Sequence, residues 1–167
     1  MAEGKPGSFE QDLRQRVRGG VLFDDVSLGI YATDASIYQI KPTAVVLPAD
    51  EVDVLAAVKT ACEHNVSILP RGAGTSLGGQ AVAPGMILDF CKYMNGIVEL
   101  NAAERWVRVQ PGLVLDELNA ALAPHGLHFA PDPATSSRAT VGGVIGTVGA
   151  TSTSTWRNRW STSLQRR

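Results

Sequence analysis

The sequence predicts an α+β fold in which a small parallel β–α–β subdomain lies beside a mainly antiparallel sheet. A strand–helix–strand pattern between Ala44 and Leu69 predicts the parallel part. Alternating apolar and polar residues from Arg105 to Gln110 predict one arm of a hairpin in the antiparallel part. A chain of 167 residues, 44% apolar and 19% charged, can bury the core of one globular domain.

The first predicted element is a short helix near the N-terminus. Ser8 is its expected N-cap, because Gln11 stands at the reciprocal position of a capping box. The helix is expected to reach Val17 and to end at the Gly19–Gly20 pair. Residues 21–42 show no regular period, so they are expected to be irregular.

The β–α–β pattern begins with Ala44–Leu47, a β-branched run that a proline closes. Asp50 is the expected N-cap of a helix from Glu51 to His64, whose positive end also carries Asp53. A second strand is predicted over Val66–Leu69. We expect the two strands to be parallel and joined by a right-handed crossover.

The remainder of the domain is predicted to be mainly antiparallel. Met86–Phe90 is expected to be a strand, and Ile97–Leu100 is expected to pair with Arg105–Gln110 as a hairpin. An amphipathic helix is predicted from Val114 to Ala123, with Gly126 as the residue that ends it.

Composition excludes several classes of function. A net charge of −1 gives no attraction to nucleic acid, and two cysteines are too few for a disulfide scaffold or a zinc-finger framework. No apolar run approaches the roughly 18 residues of a membrane span, and the polar N-terminus lacks the apolar core of a signal peptide. We therefore expect a cytoplasmic protein, dissolved or peripheral to the inner face of the membrane, with no metal site and no nucleic-acid partner.

No catalytic residue can be assigned from the sequence. The three histidines, His64, His125 and His128, do not assemble with other residues into a triad or a metal-ligand cluster. His128, just before the second glycine-rich stretch, could approach a bound ligand, but we expect a structural role for it.

Two glycine-rich stretches carry the ligand-binding prediction, and the first, Pro70–Gln80, leaves directly from a strand. A mononucleotide P-loop is excluded because the stretch contains no lysine. The dinucleotide fingerprint is excluded because Gly72, Gly74 and Gly78 are spaced one residue too far apart. In addition, the residues that follow cannot form the helix whose dipole would face a pyrophosphate.

Two interpretations of the first stretch remain open. It is either a plain surface loop or a nest of backbone N–H groups that binds phosphate oxygens, with added hydroxyl donors from Thr75 and Ser76. Arg71 and Arg138 are the cations best placed for an anionic cofactor or substrate, or else ordinary surface arginines.

The second stretch, Phe129–Gly146, contains two stiffening prolines and a glycine pair. Two small-residue loops suggest one extended ligand held between them.

The first stretch, Pro70-Arg-Gly-Ala-Gly-Thr-Ser-Leu-Gly-Gly-Gln80, resembles the pyrophosphate loop of the FAD-binding domain of the vanillyl-alcohol oxidase / p-cresol methylhydroxylase superfamily. Residues 131–146 resemble its second flavin-binding segment, and Tyr31–Tyr38 resembles the start of that domain. Within the superfamily the chain is most similar to the FAD-linked oxidase branch. That branch includes D-lactate dehydrogenases, D-2-hydroxyglutarate dehydrogenases and the flavoprotein of glycolate oxidase. The resemblance implies a PCMH-type FAD-binding domain that is incomplete at its C-terminus.

The resemblance also implies roles for particular residues. Backbone amides of the first loop would hold the FAD pyrophosphate, two later glycines would keep the loop open, and the second segment would line the adenosine and isoalloxazine parts. These three sets are Arg71, Gly72, Ala73, Gly74, Thr75 and Ser76; Gly78 and Gly79; and Pro131, Thr135, Ala139, Thr140, Gly142, Gly143 and Gly146. Relatives with covalent flavin often carry a histidine in the first loop, where this chain has Thr75. The resemblance therefore implies non-covalent FAD.

The implied activity is oxidation of a 2-hydroxy acid, such as lactate, glycolate or 2-hydroxyglutarate, by hydride transfer to flavin N5. The implied partners are that small acid and a downstream electron acceptor, namely an iron–sulfur protein, a quinone or a cytochrome. In relatives the substrate domain follows the FAD domain. Two alternatives therefore stay open for this chain: a non-catalytic FAD- or nucleotide-binding module, and an inactive fragment.

The domain boundaries follow from where the resemblance begins and stops. Residues 1–30 form an N-terminal segment, residues 31–146 the incomplete FAD-binding domain, and residues 147–167 an atypical tail that we expect to be unstructured. Nine of these last 21 residues are Ser or Thr and none is acidic, a composition that does not readily pack a core. The tail is expected to result from a frameshift near residue 147; the competing interpretation is a genuine basic tail that contacts an acidic partner.

Overall fold

The computed structural model describes residues 7–148 and 165–166. The chain divides into two compact units, unit 1 (Met1–Tyr93) and unit 2 (Met94–Arg167). Most of the predicted tail, residues 149–164 and 167, lies outside the described residues. Among the helices that are described, none is both long enough and apolar enough to cross a membrane.

Unit 1 is built on a four-stranded sheet in the order β1–β2–β4–β3. Its elements are α1 (Phe9–Arg16), β1 (Gly20–Leu22), α2 (Asp25–Tyr31), β2 (Ala44–Leu47), α3 (Glu51–Glu63), β3 (Ile68–Arg71) and β4 (Met86–Asp89). β1 is antiparallel to β2, whereas β2, β4 and β3 are parallel. Val45 and Leu69 are both in register with Ile87, so β4 is the central strand of the parallel part.

The predicted β–α–β unit is present, with two corrections. β2 and β3 are parallel and joined by α3, but β4 lies between them. β3 runs over Ile68–Arg71 instead of Val66–Leu69. Pro70 is tolerated there because β3 is an edge strand, in which a missing backbone N–H need not break a ladder. The three parallel strands end at one edge of the sheet, where the first glycine-rich stretch begins.

The N-terminal helix α1 forms as predicted and packs on α3. The Ser8 hydroxyl accepts the backbone N–H of Gln11 at 3.2 Å, which completes the N-cap. Leu13 is fully buried between the helices and the sheet core. Nε2 of His64, at the end of α3, lies 2.8 Å from Oδ2 of Asp12. An apolar anchor and a polar pair therefore both attach α1 to α3.

The start of α3 is held by two aspartates with different roles. Asp50 is the N-cap, as predicted, and it accepts the N–H of Asp53 at 3.1 Å. Asp53 is itself fully buried, and its carboxylate accepts the backbone N–H groups of Arg18 at 3.0 Å, Gly19 at 2.8 Å and Ala49 at 2.9 Å. These bonds replace the hydration that the buried charge loses. Asp53 therefore joins three chain segments.

Alternate residues of the central strands face opposite sides of the sheet, because side chains in a strand alternate. The result is two apolar clusters. One contains Leu13, Val17, Ala44, Val46, Ala57, Ala61, Met86 and Leu88, and the other contains Leu28, Val45, Leu47 and Ile87. The sheet of unit 1 is thus covered on both faces, as expected for parallel strands.

Unit 2 contains a hairpin, two helices and a short strand pair. Its elements are β5 (Ile97–Asn101), β6 (Trp106–Val109), α4 (Leu115–Leu122), β7 (Leu127–His128), α5 (Val141–Val148) and β8 (Gln165–Arg166). The hairpin is confirmed, with Arg105 at a φ of 56° in its turn. Gly126 ends the α4 region as predicted, with a φ of 64°. The core of unit 2 contains Val107, Leu113, Leu115, Leu118, Leu122, Leu127, Phe129, Ala139, Val141 and Val144.

The end of the second glycine-rich stretch is a helix, α5, where the sequence predicts a loop. Three glycines in eight residues give a low intrinsic helix propensity, which explains the wrong prediction. Tertiary contacts outweigh that propensity: the N–H of Val141 donates to Leu113 O at 2.8 Å, and the N–H of Gly142 donates to Pro111 O at 2.9 Å. Val144 adds a buried apolar anchor one turn later.

Candidate functional site

The glycine loop, which we define as residues 72–80, begins where β3 ends at the carboxyl edge of the parallel strands. Ligands of open α/β sheets bind outside this edge. Gly74 and Gly79 have positive φ angles of 70° and 77°. Because other residues are strained at such angles, the path of the loop depends on these two glycines.

Six consecutive backbone N–H groups of the loop have no acceptor among the residues that the structure describes. In the described part of the chain, none of the N–H groups of residues 72–77 donates a hydrogen bond to another residue. The N–H groups of Gly78 and Gln80 donate to Oγ of Ser76 at 3.2 and 3.4 Å. A run of unpaired N–H groups in a turn is the donor set that binds phosphate. These N–H groups are therefore available to water or to a ligand, and both interpretations of the loop stay open.

Residues 31–40, which we call the support segment, lie against the glycine loop. The N–H of Ala35 donates to Gly74 O at 3.0 Å. A Cβ atom at Gly79 would lie 2.6 Å from Cδ2 of Tyr38, so the tyrosine ring occupies the space that a side chain at Gly79 would need. The loop is therefore supported along its length by a segment distant in sequence.

The Arg71 guanidinium connects the base of the loop to the support segment. Nη1 donates to Tyr31 O at 3.2 Å and Ala81 O at 2.8 Å, and Nη2 donates to Thr33 O at 2.9 Å. The guanidinium also lies 5.2 Å from the centre of the Tyr31 ring. A Cβ atom at Gly74 would lie 2.6 Å from Nη2, so a larger residue would displace the guanidinium in addition to the strain at a φ of 70°. The Arg71 side chain is thus half-buried against the loop and is no ordinary surface arginine.

The two predicted hydroxyl donors of the loop have different surroundings. Ser76 Oγ bonds to Gln80 Oε1 and accepts two N–H groups of the loop itself. Thr75 is half-buried, and its hydroxyl has no partner among the described residues. Ser76 therefore shapes the loop, whereas the Thr75 hydroxyl is unpaired within the described residues.

A polar cluster that the sequence does not predict lies at the end of β4. Asp89 accepts the Tyr31 hydroxyl at 2.6 Å and the Cys91 N–H at 2.8 Å. Burial, the hydrogen bond to Asp89 and the charge of Asp89 raise the pKa of Tyr31, so its hydroxyl stays a donor at neutral pH. Burial and the same carboxylate raise the pKa of Cys91 to about 12, which keeps its thiol protonated and unreactive.

The second set of predicted cofactor residues lies in unit 2, mostly in turns. Pro131 is half-buried and Thr135 is exposed, and the carbonyl of Thr135 accepts the N–H groups of Arg138 at 2.8 Å and Ala139 at 2.7 Å. The side chains of Ala139 and Thr140 are buried. Arg138 is exposed and forms no ion pair within the part of the chain that the structure describes.

The other predicted cofactor residues of unit 2 lie in α5. The N–H of Gly143 donates to Oγ1 of Thr140 at 3.3 Å, and Gly142 packs with its Cα face on Pro111, where a Cβ would lie 2.9 Å from the proline Cβ. At Gly146 a Cβ would meet nothing within 4 Å. The first N–H groups of α5 thus have acceptors within unit 2. Those of residues 72–77 in the glycine loop have none among the described residues.

The three histidines have different local surroundings. His64 belongs to unit 1 and is bonded to Asp12, whereas His125 and His128 belong to unit 2. Nδ1 of His128 is buried and has no hydrogen-bond partner among the described residues. Over residues 7–148 and 165–166, no group of His, Cys, Asp or Glu could hold a metal ion.

Sequence reasoning misses the cluster that holds the loop in place. It comprises Tyr31, Asp34 and Asp89. The first two lie in the stretch that resembles the start of the FAD-binding domain, but the resemblance gives none of the three a binding role. One signal was available for Asp89: it is an acidic residue at the end of Met86–Leu88, an apolar run typical of a buried strand. A carboxylate at the end of a buried strand needs hydrogen-bond donors. These donors come from other chain segments, which the carboxylate therefore holds in place.

Comparison with known proteins identifies related sequences over most of the chain. The family described as the FAD binding domain matches residues 42–162. D-2-hydroxyglutarate dehydrogenase of Pseudomonas putida is 49% identical over 133 residues, which cover 78% of this chain and 13% of that protein. Glycolate oxidase subunit GlcD of Bacillus subtilis is 37% identical over 135 residues, which cover 78% of this chain and 28% of that protein. The chain thus spans 13% and 28% of the lengths of these two relatives.

Solved structures show the same fold. Alkyldihydroxyacetonephosphate synthase matches with a TM-score of 0.75 at 22% identity, covering 86% of this chain and 32% of that one. p-Cresol methylhydroxylase matches with a TM-score of 0.72 at 22% identity, covering 82% of this chain and 28% of that one. The predicted PCMH-type fold is confirmed.

Proposed function

The chain belongs to the FAD binding domain family, and we propose that its glycine loop holds the pyrophosphate of FAD on the backbone N–H groups of residues 72–77. One observation carries this proposal. Six adjacent N–H groups have no protein acceptor among the described residues and lie at the carboxyl edge of a parallel sheet. The loop contains no acidic residue, so nothing within it repels the two phosphates.

The donor set of the loop fits the cofactor chemically. Thr75 adds one hydroxyl, and Gly78 and Gly79 let the main chain stay close to a flat or bulky ligand. We also propose that residues of unit 2 line the adenosine and isoalloxazine parts of FAD. This second set, which rests on the family resemblance, is Pro131, Thr135, Ala139, Thr140, Gly142, Gly143 and Gly146.

For the whole protein we infer an FAD-dependent oxidoreductase that acts on a 2-hydroxy acid. The support is the identity of the relatives, which are a D-2-hydroxyglutarate dehydrogenase and a glycolate oxidase subunit. Bound FAD would supply the hydride-accepting chemistry, at flavin N5. The residues described in this chain bind and orient the cofactor. An iron–sulfur protein, a quinone or a cytochrome is the proposed electron acceptor, and the cytoplasmic location stays a prediction.

We propose that the FAD is bound non-covalently. The glycine loop contains no histidine or cysteine, and the thiol of Cys91 is held protonated. Precipitation of the FAD-loaded protein with acid should therefore release all flavin into the supernatant. Flavin retained in the washed pellet would contradict this proposal.

Equilibrium dialysis of the full chain against FAD tests the binding proposal. We expect one FAD per chain. Gly74→Ala should weaken binding by about tenfold or more, because a left-handed conformation costs a non-glycine residue about 1–2 kcal/mol and the new Cβ would also displace Arg71. Gly29→Ala is the matched control, because Gly29 lies in α2, where a Cβ would meet nothing within 4 Å.

Two outcomes would contradict the proposed binding mode. Absence of FAD retention by the wild-type chain would contradict FAD binding itself. Equal loss of affinity in both glycine variants would contradict the assignment to the glycine loop. Turnover of D-2-hydroxyglutarate or glycolate with an artificial electron acceptor then separates an active oxidoreductase from a binding module, because the module would retain FAD without turnover.

A further inference from the structure

Arg71 differs from the arginines of α1 and its end in what neutralises its charge. Arg14, Arg16 and Arg18 each lie within ion-pair distance of a carboxylate. The three hydrogen bonds of Arg71 all go to neutral backbone carbonyls, and within the described residues its guanidinium has no carboxylate within 4.0 Å. A full positive charge is therefore fixed at the base of the glycine loop without a direct counter-charge.

The carboxylates nearest to this charge already have other donors. Asp89 accepts the Tyr31 hydroxyl and the Cys91 N–H. Asp34 accepts the N–H groups of Ser36 at 2.9 Å and Ala81 at 3.2 Å. Burial alone would raise the pKa of Asp34, but these hydrogen bonds and the charge of Arg71 outweigh burial and lower it. The Arg71 charge thus acts over the base of the loop.

The guanidinium also has a fixed position relative to the loop backbone. It is held by carbonyls from both sides, Tyr31 and Thr33 of the support segment and Ala81 just after the loop. Nη2 lies where a Cβ of Gly74 would collide at 2.6 Å, so the charge touches the middle of the loop main chain. A planar group with several fixed donors holds such a geometry, whereas a lysine ammonium would not.

We propose that Arg71 is a positioning residue, which holds the glycine loop in its anion-binding shape and supplies the positive charge that attracts the pyrophosphate of FAD. This inference rests on the proposed function and extends it to a side chain. Tyr31 and Asp89 act one step further away, because the tyrosine supplies both a carbonyl and a ring face to Arg71. The family resemblance assigns to Arg71 only its backbone amide.

Three variants of the full chain test the proposal by their dissociation constants for FAD. Arg71→Met removes the charge and the three hydrogen bonds, and it should weaken FAD binding by tenfold or more. Arg71→Lys keeps the charge but not the planar group, and it should recover part of that loss. Arg108→Met is the matched control, because Arg108 is also an arginine stacked on an aromatic ring, Trp106, in the unit that lacks the glycine loop.

Salt dependence separates the electrostatic role from a merely structural one. The Debye length falls from about 10 Å at about 0.1 M salt to about 3 Å at about 1 M. The dissociation constant of the wild type and of Arg71→Lys should therefore rise with salt, whereas that of Arg71→Met should change little. A structural defect would shift all three curves without changing their slopes.

Hydrogen exchange of the ligand-free protein tests the positioning role independently of FAD. We expect slower exchange of the hydrogen-bonded N–H groups at the loop, those of Gly78 and Gln80 and that of Ala35 on Gly74 O, in the wild type than in Arg71→Met, with the exchange of α3 unchanged. Unaltered affinity, salt slope and loop exchange in Arg71→Met, with FAD still bound by the wild type, would overturn this inference alone. Failure of the wild type to bind FAD would overturn the proposed function and this inference with it.

Discussion

Asp53→Ala should destabilise the protein more than any other single loss of charge on α3. Asp53 is fully buried, and its carboxylate accepts three backbone N–H groups, from Arg18, Gly19 and Ala49. These donors belong to the chain before β1 and to the turn after β2, so the carboxylate joins two segments to α3. Alanine leaves all three donors without this acceptor.

The size of the loss follows from the number of bonds and the exposure of the donors. A hydrogen bond to a charged group contributes about 1.5–3 kcal/mol, and an ordinary one about 1 kcal/mol. Arg18 and Ala49 are exposed, so water can replace part of what their N–H groups lose. We therefore count about 1 kcal/mol for each of the three hydrogen bonds. Three bonds then give a loss of about 3 kcal/mol, a large part of the roughly 5–15 kcal/mol by which such a domain is stable.

The loss should also depend on pH in a defined direction. Burial alone would raise the pKa of Asp53, but the N–H groups of Arg18, Ala49 and Gly19 and the Arg18 charge outweigh it and lower the pKa below the ordinary value of 3.8. The ionised carboxylate therefore stabilises the fold above pH 3.8, and its contribution disappears as the pH falls through the lowered folded-state pKa. Asp53→Ala should flatten the acid limb of the stability curve.

Urea unfolding at neutral pH and in acid, followed by circular dichroism, measures both effects. Glu51→Ala is the control, because Glu51 is an exposed acidic residue in the same helix turn. It should cost only about 0.3–1 kcal/mol through the helix dipole. Equal losses of unfolding free energy in the two variants would refute the reasoning, because Asp53 would then contribute no more than its interaction with the helix dipole.

Three further outcomes are expected. A thiol reagent at mildly alkaline pH should modify the exposed Cys62 rapidly and Cys91 only on unfolding, as mass spectrometry of the two peptides would report, because burial and Asp89 raise the pKa of Cys91 to about 12. Gly85→Ala should lower the unfolding midpoint of unit 1, because a Cβ there would lie 2.2 Å from the carbonyl oxygen of residue 67. Leu118→Ala should cost about 2–5 kcal/mol of the unfolding free energy by creating a cavity in the core of unit 2.

The sequence predicts well those elements whose signals are local. The Ser8 cap of α1, the Asp50 cap of α3 and the Gly126 end of the α4 region were each readable from a few neighbouring residues. The glycine loop was recognisable as a nest candidate because its composition excludes both a P-loop and a helix after it. From the sequence, Asp53 was assigned only to the positive end of the α3 dipole. Its burial, and hence its role as an acceptor, is visible only in the fold.

Elements that depend on distant contacts were not predicted. α5 forms from a glycine-rich run because carbonyls of Pro111 and Leu113 accept its first N–H groups. The place of β4 between β2 and β3 depends on a pairing that no sequence period encodes. The role of Tyr31 was not predicted for the same reason. Tyr31 and Arg71 are 40 residues apart in sequence, and they come into contact only in the folded chain.

The proposed binding mode places the anion at the glycine loop without a helix dipole. A helix N-terminus concentrates about half a unit of positive charge on its first N–H groups. Here the loop presents six N–H groups unpaired within the described chain, and Arg71 places a whole unit of charge against their backbone. This arginine is half-buried and held by three carbonyls, which limits its movement. In the proposed binding mode, an anchored cation therefore takes the place of the helix dipole, and Gly74 lies where the charge and the main chain meet.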